Sequence, residues 1–194
     1  MIFYEPSWKS YIVLSNGPIF TPEQCDDIIR VGKSLPQEDA KTGTTKDKRG
    51  IKNFKIRKTI ISWIPFNKMT EMYASLNRVG NKVNRNYFGF DEIQIGEEAQ
   101  FTQYFKDGYY DWHTDSSHEM KNEPVVRKIS MIVMLSDPKD FEGGELQIVD
   151  TTRTISLKRG QAISFASFIT HRVLPVKKGN RLSMVVWFTG PPFR

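Results

Sequence analysis

The chain has 194 residues, 39% hydrophobic and 26% charged, with a net charge of +6 at pH 7 and one cysteine, Cys25. That balance fits one folded domain and excludes a chain disordered throughout, while a lone cysteine rules out an internal disulfide and suits a reducing compartment. No run is long and apolar enough to span a bilayer and Met1 to Ser10 lacks the order of a secretion signal, so the expectation is a cytoplasmic protein with no membrane partner.

Thr21-Pro22-Glu23-Gln24 offers a hydroxyl cap, a proline at the first helical position and a capping-box glutamine, followed by Cys25, Ile28 and Ile29 on one face. Gly32 is expected to end this helix. The segment Lys41 to Lys58 concentrates Lys41, Lys46, Lys48, Arg49, Lys52, Lys55, Arg57 and Lys58. Such a run can track phosphates or attract an acidic substrate. With no aromatic ladder interleaved with the charges, a solvated loop or substrate lid is preferred to nucleic-acid binding. Thr59 to Ile64 is short and β-branched, as a strand should be, and after Pro65 the spacing of Met69, Met72, Tyr73, Leu76, Val79 and Val83 predicts a second helix. The first third therefore reads as mainly helical around one strand.

From about Glu97 the texture changes to short strands: Gln100–Phe105, Lys128–Leu135, Glu145–Val149, Thr152–Leu157, Gln161–Ala166, His171–Val176 and Arg181–Thr189. Turn signals such as Ser136-Asp137-Pro138, Gly143-Gly144 and Lys178-Gly179-Asn180 separate them. The expected class is α+β, a double-stranded β-helix (jelly roll) core with N-terminal helices packed on one sheet. Residues 1–194 would form a single domain, with 1–96 as helical support and substrate-facing region and 97–190 as the core.

His113-Thr114-Asp115, answered by His171, supplies the donors of a 2-His-1-carboxylate site, which leaves one face of an octahedral ion open and suits Fe(II). If His113 and Asp115 lie on a strand, period-2 alternation turns both to one side. Of the three histidines, His118 sits in the polar run Ser116-Ser117-His118-Glu119, so His171 is the better third ligand. A dicarboxylic oxo acid on such an ion needs a fixed cation for its far carboxylate. Arg181 suits that task through its planar fork, Ser183 faces the same side, and Tyr104 could add a hydroxyl. Each residue alone has a duller explanation, a satisfied histidine or a surface charge; the ordered set carries the inference.

The stretch from Tyr104 to Asp115 resembles the Y-x-x-x-G-x-Y-x-x-H-x-D segment of prolyl 4-hydroxylase-like 2-oxoglutarate and Fe(II)-dependent dioxygenases. Phe141 to Leu146 resembles their F-x-G-G-E-L turn, and His171 to Arg181 is similar to the H-x-V-x-P-V-x-x-G-x-R ending of the PKHD-type hydroxylases. The resemblance covers roughly residues 99 to 189. It implies His113, Asp115 and His171 as iron ligands, Arg181 as the 2-oxoglutarate anchor, Tyr104 as a further hydrogen bond to it and Trp187 as a wall of its pocket. It places Tyr110 near the substrate, where a core aromatic is the competing explanation. Collagen-type relatives usually carry lysine where Arg181 stands, which loosens any transfer of their substrate. Hydroxylation of an unactivated C–H bond is implied, most simply on a peptidyl proline, with succinate and carbon dioxide formed from 2-oxoglutarate and ascorbate as reductant.

Phe101, Trp112, Phe165 and Trp187 are candidate walls that exclude water. A free amino acid, small metabolite or nucleic-acid base remains an alternative substrate. A non-catalytic jelly-roll binding module is the alternative from another class. Oligomeric state is not legible.

Overall fold

The computed structural model describes residues 10–42, 53–116, 124–149 and 154–193. The chain opens with β1 (Ile12–Pro18) and α1 (Pro22–Ser34), then β2 (Glu38–Asp39), β3 (Arg57–Lys58) and β4 (Ile60–Ile64). A 3-10 turn, Phe66–Lys68, leads into α2 (Thr70–Val83), which runs on as a π-helical turn, Asn84–Phe88. The second half holds β5 (Gln94–Ile95), β6 (Ala99–Tyr104), β7 (Tyr109–His113), β8 (Val126–Met134), β9 (Phe141–Gly143) and β10 (Leu146–Ile148). It ends with β11 (Thr154–Ile155), β12 (Gln161–Ala166), β13 (His171–Val173), β14 (Val176–Gly179) and β15 (Arg181–Gly190).

A large antiparallel sheet runs β1-β12-β8-β15-β6-β4-β2, with β5 added on β15, and a smaller one runs β11-β10-β13-β7-β3. The two form a jelly-roll core, and β9 pairs with β14 as a separate ribbon. The first third is thus less helical than its sequence suggests: β1 borders β12, β4 borders β6, and β3 borders β7. β2 and β3 are two residues long, too short to show any hydrophobic period.

β8 and β15 are buried along almost their whole length because both faces of the large sheet are covered. On the outer face Ile129, Met131, Val133, Met184, Val186 and Phe188 pack with Cys25 and Ile28 of α1 and Met72 and Leu76 of α2. On the inner face Ile132, Met134, Phe165 and Val185 meet Tyr104, Ile148 and Val173. Among the described residues no helix is long and apolar enough to cross a membrane.

The capping box of α1 forms as its sequence predicts: Gln24 N–H donates to the Thr21 hydroxyl and Thr21 N–H to the Gln24 side chain. Gly32, however, does not end the helix. It lies inside α1, where the ring of Phe101 occupies the space a methyl group would need, and Gly80 of α2 gives way to Phe188 in the same manner. The helix runs on two residues to Ser34 and stops at Leu35, which is extended ahead of Pro36, as the ring of a following proline favours. Replacing Gly32 or Gly80 by alanine gains about 1 kcal/mol of helix propensity but forces a core ring aside at about 1–3 kcal/mol. Each substitution is therefore expected to be neutral or to lower stability in urea unfolding. A gain of about 1 kcal/mol in either variant would show that the rings give way freely.

Candidate metal centre and co-substrate pocket

β7 and β13 pair so that His113 lies opposite His171 and Tyr110 opposite Val173, a register that leaves Asp111 and Trp112 together facing Arg172. This β-bulge interrupts alternation, so Tyr110 and His113, three positions apart, share a face. Their rings stack at 3.4 Å, 12° from parallel. Arg172 holds the bulge, its guanidinium 4.7 Å from the Trp112 ring and 4.0 Å from the Asp111 carboxylate.

Strand alternation does not aim Asp115. β7 ends at His113, and Asp115 stands in the following bend, where its N–H and that of Ser116 both donate to the Ser167 carbonyl at 2.9 Å. The carboxylate still meets both imidazoles: Asp115 Oδ1 lies 3.7 Å from His113 Nε2, and Oδ2 lies 3.7 Å from His171 Nε2. Ligand atoms of the three residues all lie within 4.8 Å of one another. His118 lies outside the described residues.

The supporting contacts leave the right atoms free. His113 Nδ1 is 2.7 Å from the Asp111 carbonyl and His171 Nδ1 is 3.1 Å from the Ile169 carbonyl, which sets both Nδ1 atoms as donors and leaves both Nε2 lone pairs for a metal. The Ser130 hydroxyl donates to Asp115 Oδ2 at 2.7 Å and meets the Ser167 hydroxyl at 3.0 Å. Burial, and then repulsion from His171, push the His113 pKa down to about 3. Burial alone would raise that of Asp115, but His171, His113, Arg127 and the Ser130 hydrogen bond outweigh it and hold it at about 2. A neutral imidazole beside an ionised carboxylate is the state a divalent cation requires.

Arg181 begins β15 opposite Tyr104 and is 1% exposed, the largest fully buried side chain described. Nη1 donates to the Ser183 hydroxyl at 3.1 Å, while Nε and Nη2 have no partner, and the Tyr104 ring centroid is 5.0 Å away. Burial lowers its pKa from the ordinary arginine value. Arg181 also borders a cavity of about 200 Å³ with Met134, Gly144, Leu146 and Leu157, a space that none of the three candidate ligands lines. Gly143 and Gly144, at φ 77° and 68°, turn the chain beside Arg181 and not beside the ligands. A Cβ on Gly144 would come within 2.9 Å of Arg181 Cδ.

Trp187 is buried opposite Ser130 with its indole N–H unpartnered, and the Arg127 guanidinium lies 3.8 Å over its ring. Arg127 in turn grips Glu97 through two hydrogen bonds of 2.6 Å. Phe165 packs 4.5 Å from the His171 ring. Phe101 faces the helices instead and walls no part of this site. Sequence reasoning passed over Ser130, Ser167, Glu97, Arg127 and Gln100. Ser130 could have been noticed as a hydroxyl at an inward position of an apolar strand; the Glu97–Arg127 pair joins residues 30 apart and leaves no local signal. Arg57 was hidden in the basic segment, yet it is 7% exposed, its guanidinium 4.4 Å over the Tyr110 ring.

Residues 99–189 match the model of a family described as the 2OG-Fe(II) oxygenase superfamily. This stretch, just under half of the chain, is similar to the 2OG-Fe(II) oxygenase superfamily. A PKHD-type hydroxylase of Azoarcus sp. (strain BH72) is 39% identical over 88 residues, which are 43% of this chain and 39% of that protein. One from Aliarcobacter butzleri (strain RM4018) is 37% identical over 92 residues, 45% of this chain and 41% of the other. The chain spans about two fifths of the length of the curated relatives it matches. In fold it is similar to the viral collagen prolyl hydroxylase of Paramecium Bursaria Chlorella virus-1, solved as a 2OG complex, with a TM-score of 0.73 at 18% identity, covering 93% of this chain and 97% of the other. It is also similar to a Pseudomonas putida prolyl-4-hydroxylase, with a TM-score of 0.68 at 18% identity, covering 92% and 91%.

The oxygenase family implies Fe(II) and 2-oxoglutarate, and the donor set fits both. Two imidazoles with free Nε2 atoms and one carboxylate suit a ferrous ion. A buried guanidinium with two orphaned nitrogens suits the far carboxylate of a diacid.

Because His113 is harder to protonate in the folded protein than in the unfolded chain, the metal-free domain must lose stability as pH falls below about 6.5, where only the unfolded chain takes up that proton. At about 1.4 kcal/mol per pH unit the loss down to pH 5 amounts to about 2 kcal/mol. Urea unfolding with a chelator at pH 7 and pH 5 should show this loss in the native chain and a smaller one in His113→Asn. Equal losses would mean that His113 titrates freely.

Proposed function

We propose that the chain is a 2-oxoglutarate- and Fe(II)-dependent dioxygenase that hydroxylates an unactivated C–H bond, most simply on a peptidyl proline, while 2-oxoglutarate becomes succinate and carbon dioxide. The observation that carries this reading is the buried, uncompensated Arg181 on the same barrel interior as the His113, Asp115 and His171 cluster. The peptide part of the reading draws on the fold's likeness to prolyl hydroxylases. One of them, from Trichoplax adhaerens, was solved with a hypoxia inducible factor peptide and has a TM-score of 0.69 at 15% identity, covering 92% of this chain and 83% of that one.

In this reading His113, Asp115 and His171 hold the ion. Bound Fe(II) supplies dioxygen activation, with ascorbate keeping it ferrous. Arg181 and Ser183 take the far carboxylate of 2-oxoglutarate, Tyr104 adds a hydroxyl, and Trp187, opposite Ser130 further along β15, offers its free indole N–H. Ser130 occupies one lone pair of Asp115 Oδ2, which limits how the carboxylate can turn toward the ion. Phe165 and the stacked Tyr110 keep water from the two imidazoles.

Incubation with Fe(II), ascorbate and 2-oxoglutarate, without any further substrate, should give slow succinate formation that His113→Ala abolishes. Arg181→Leu should raise KM for 2-oxoglutarate by about tenfold or more, as expected when a charged hydrogen-bond partner is lost. Absence of both succinate and metal uptake in the native chain would favour a non-catalytic binding module. A gain of one oxygen on members of a panel of proline peptides, free amino acids and oligonucleotides, read by mass spectrometry, identifies the substrate class.

A further inference from the structure

Among the described residues, three guanidiniums, of Arg57, Arg127 and Arg181, and two carboxylates, of Glu97 and Asp115, lie around the site, beside the Arg172–Asp111 pair, whose charges cancel. Arg127 is neutralised by Glu97 at 2.6 Å. On the reading above, a ferrous dication and the 2-oxoglutarate dianion cancel each other, Asp115 faces the ion and Arg181 the dianion. One positive charge is left over, and it belongs to Arg57.

Arg57 is built as a fixed anchor. It is 7% exposed, its Nε donates to Thr59 Oγ1 and its Nη2 to Gln100 Oε1, each at 2.8 Å. Both partners are neutral, and the guanidinium lies 4.4 Å over the Tyr110 ring, which itself stacks on His113. Among the described residues no carboxylate pairs with Arg57, and its Nη1 makes no hydrogen bond. A buried cation held by neutral acceptors is costly unless an anion arrives to compensate it. Gln100 and Tyr104 stand four residues apart on β6, about 13 Å along a strand. Arg57 contacts the first and Arg181 the second, so the two guanidiniums mark opposite ends of the site.

We propose that Arg57 anchors the substrate through a carboxylate, so that the group presented to the metal centre is carried by a singly charged acid: a peptide with an acidic side chain beside the target residue, or a free α-carboxylate on that residue. This rests on the dioxygenase reading. One surplus charge and one free nitrogen match a carboxylate better than a doubly charged phosphate.

The test uses the full chain loaded with Mn(II) and 2-oxoglutarate without dioxygen, and reads paramagnetic relaxation of probe protons by NMR. Two matched pairs of probes separate the two sources of the acid: N-acetyl-Glu-Pro-amide against N-acetyl-Gln-Pro-amide, and N-acetylproline against N-acetylproline amide. In at least one pair the acid should bind about tenfold or more tighter than its neutral partner, as for a charge-assisted hydrogen bond. Arg57→Gln should erase that preference, and Arg57→Lys should keep part of it. Manganese uptake by both variants shows that their folds and metal sites persist.

Equal binding within both pairs, an undiminished preference in Arg57→Gln, or no binding of either acid at concentrations on the order of 10 mM would overturn the proposal. Manganese uptake and succinate formation by the native chain report on the dioxygenase reading separately. A protein that does both and ignores probe charge disproves the role of Arg57 alone.

Discussion

The site depends on one short turn, Ser167 to Ile169. The Ser167 carbonyl takes the N–H groups of Asp115 and Ser116, its hydroxyl reaches Ser130 and through it Asp115 Oδ2, and the Ile169 carbonyl meets His171 Nδ1. The acid and one imidazole are therefore positioned by the same three residues, although they come from segments more than 50 positions apart. Each bond alone contributes only about 1 kcal/mol to stability. Together they leave few orientations open to the two side chains, so the candidate donor atoms are held in place before any ligand arrives.

Carrying so much charge between two sheets has an energetic logic. The inner face is lined by Ile132, Ile148, Phe165 and Val173, which keeps water out and lowers the local dielectric. That environment makes an unpaired Arg181 or Arg57 unfavourable in the ligand-free protein, and it strengthens attraction to any anion that reaches them. The apolar core therefore raises the value of the charge that Arg181, with its two orphaned nitrogens, and Arg57 offer to an anion. Arg181→Lys would keep the charge and lose the fork, which is why the two residues are not equivalent at the floor of such a pocket.

Much of this was legible in the sequence, and the failures have physical causes. β6, β8, β10, β12, β13 and β15, the capping box at Thr21 and the gathering of His113, Asp115 and His171 follow from local period, turn chemistry and donor type, whereas β7 and β9 carry no strand signal of their own. The strand alternation expected to aim His113 and Asp115 together was the wrong mechanism: β7 ends between them, and a bulge opposite Arg172 does the work upstream. A bulge adds one residue without any composition of its own, so nothing in Asp111-Trp112 announces it. Gly32 was read as a stop because glycine often follows a helix, yet here the missing side chain makes room for Phe101, a contact across 69 positions. Arg57 was submerged in a basic segment whose central part, residues 43–52, lies outside the described residues; only pairing of β3 with β7 separates it from the exposed lysines around it.

The matched stretch, 99–189, is not self-sufficient. β1 covers the edge of β12 and β4 covers β6, so two strands that precede the matched stretch close two sides of the large sheet's central strands. Tyr11, Phe90, Phe168 and Phe193 meet in a closed circuit of ring contacts, with centroids 5.7 to 6.5 Å apart, and the Lys128 ammonium lies 3.3 Å from the Phe193 ring. Phe168 sits in the middle of the turn that positions Asp115 and His171, and the Lys128 carbonyl accepts the Ser167 N–H at 2.9 Å. Packing of segments near both ends of the described chain thus bears directly on the residues around the candidate metal. A domain trimmed to its recognisable motifs would keep every donor atom and lose part of the scaffold that holds them at working distance.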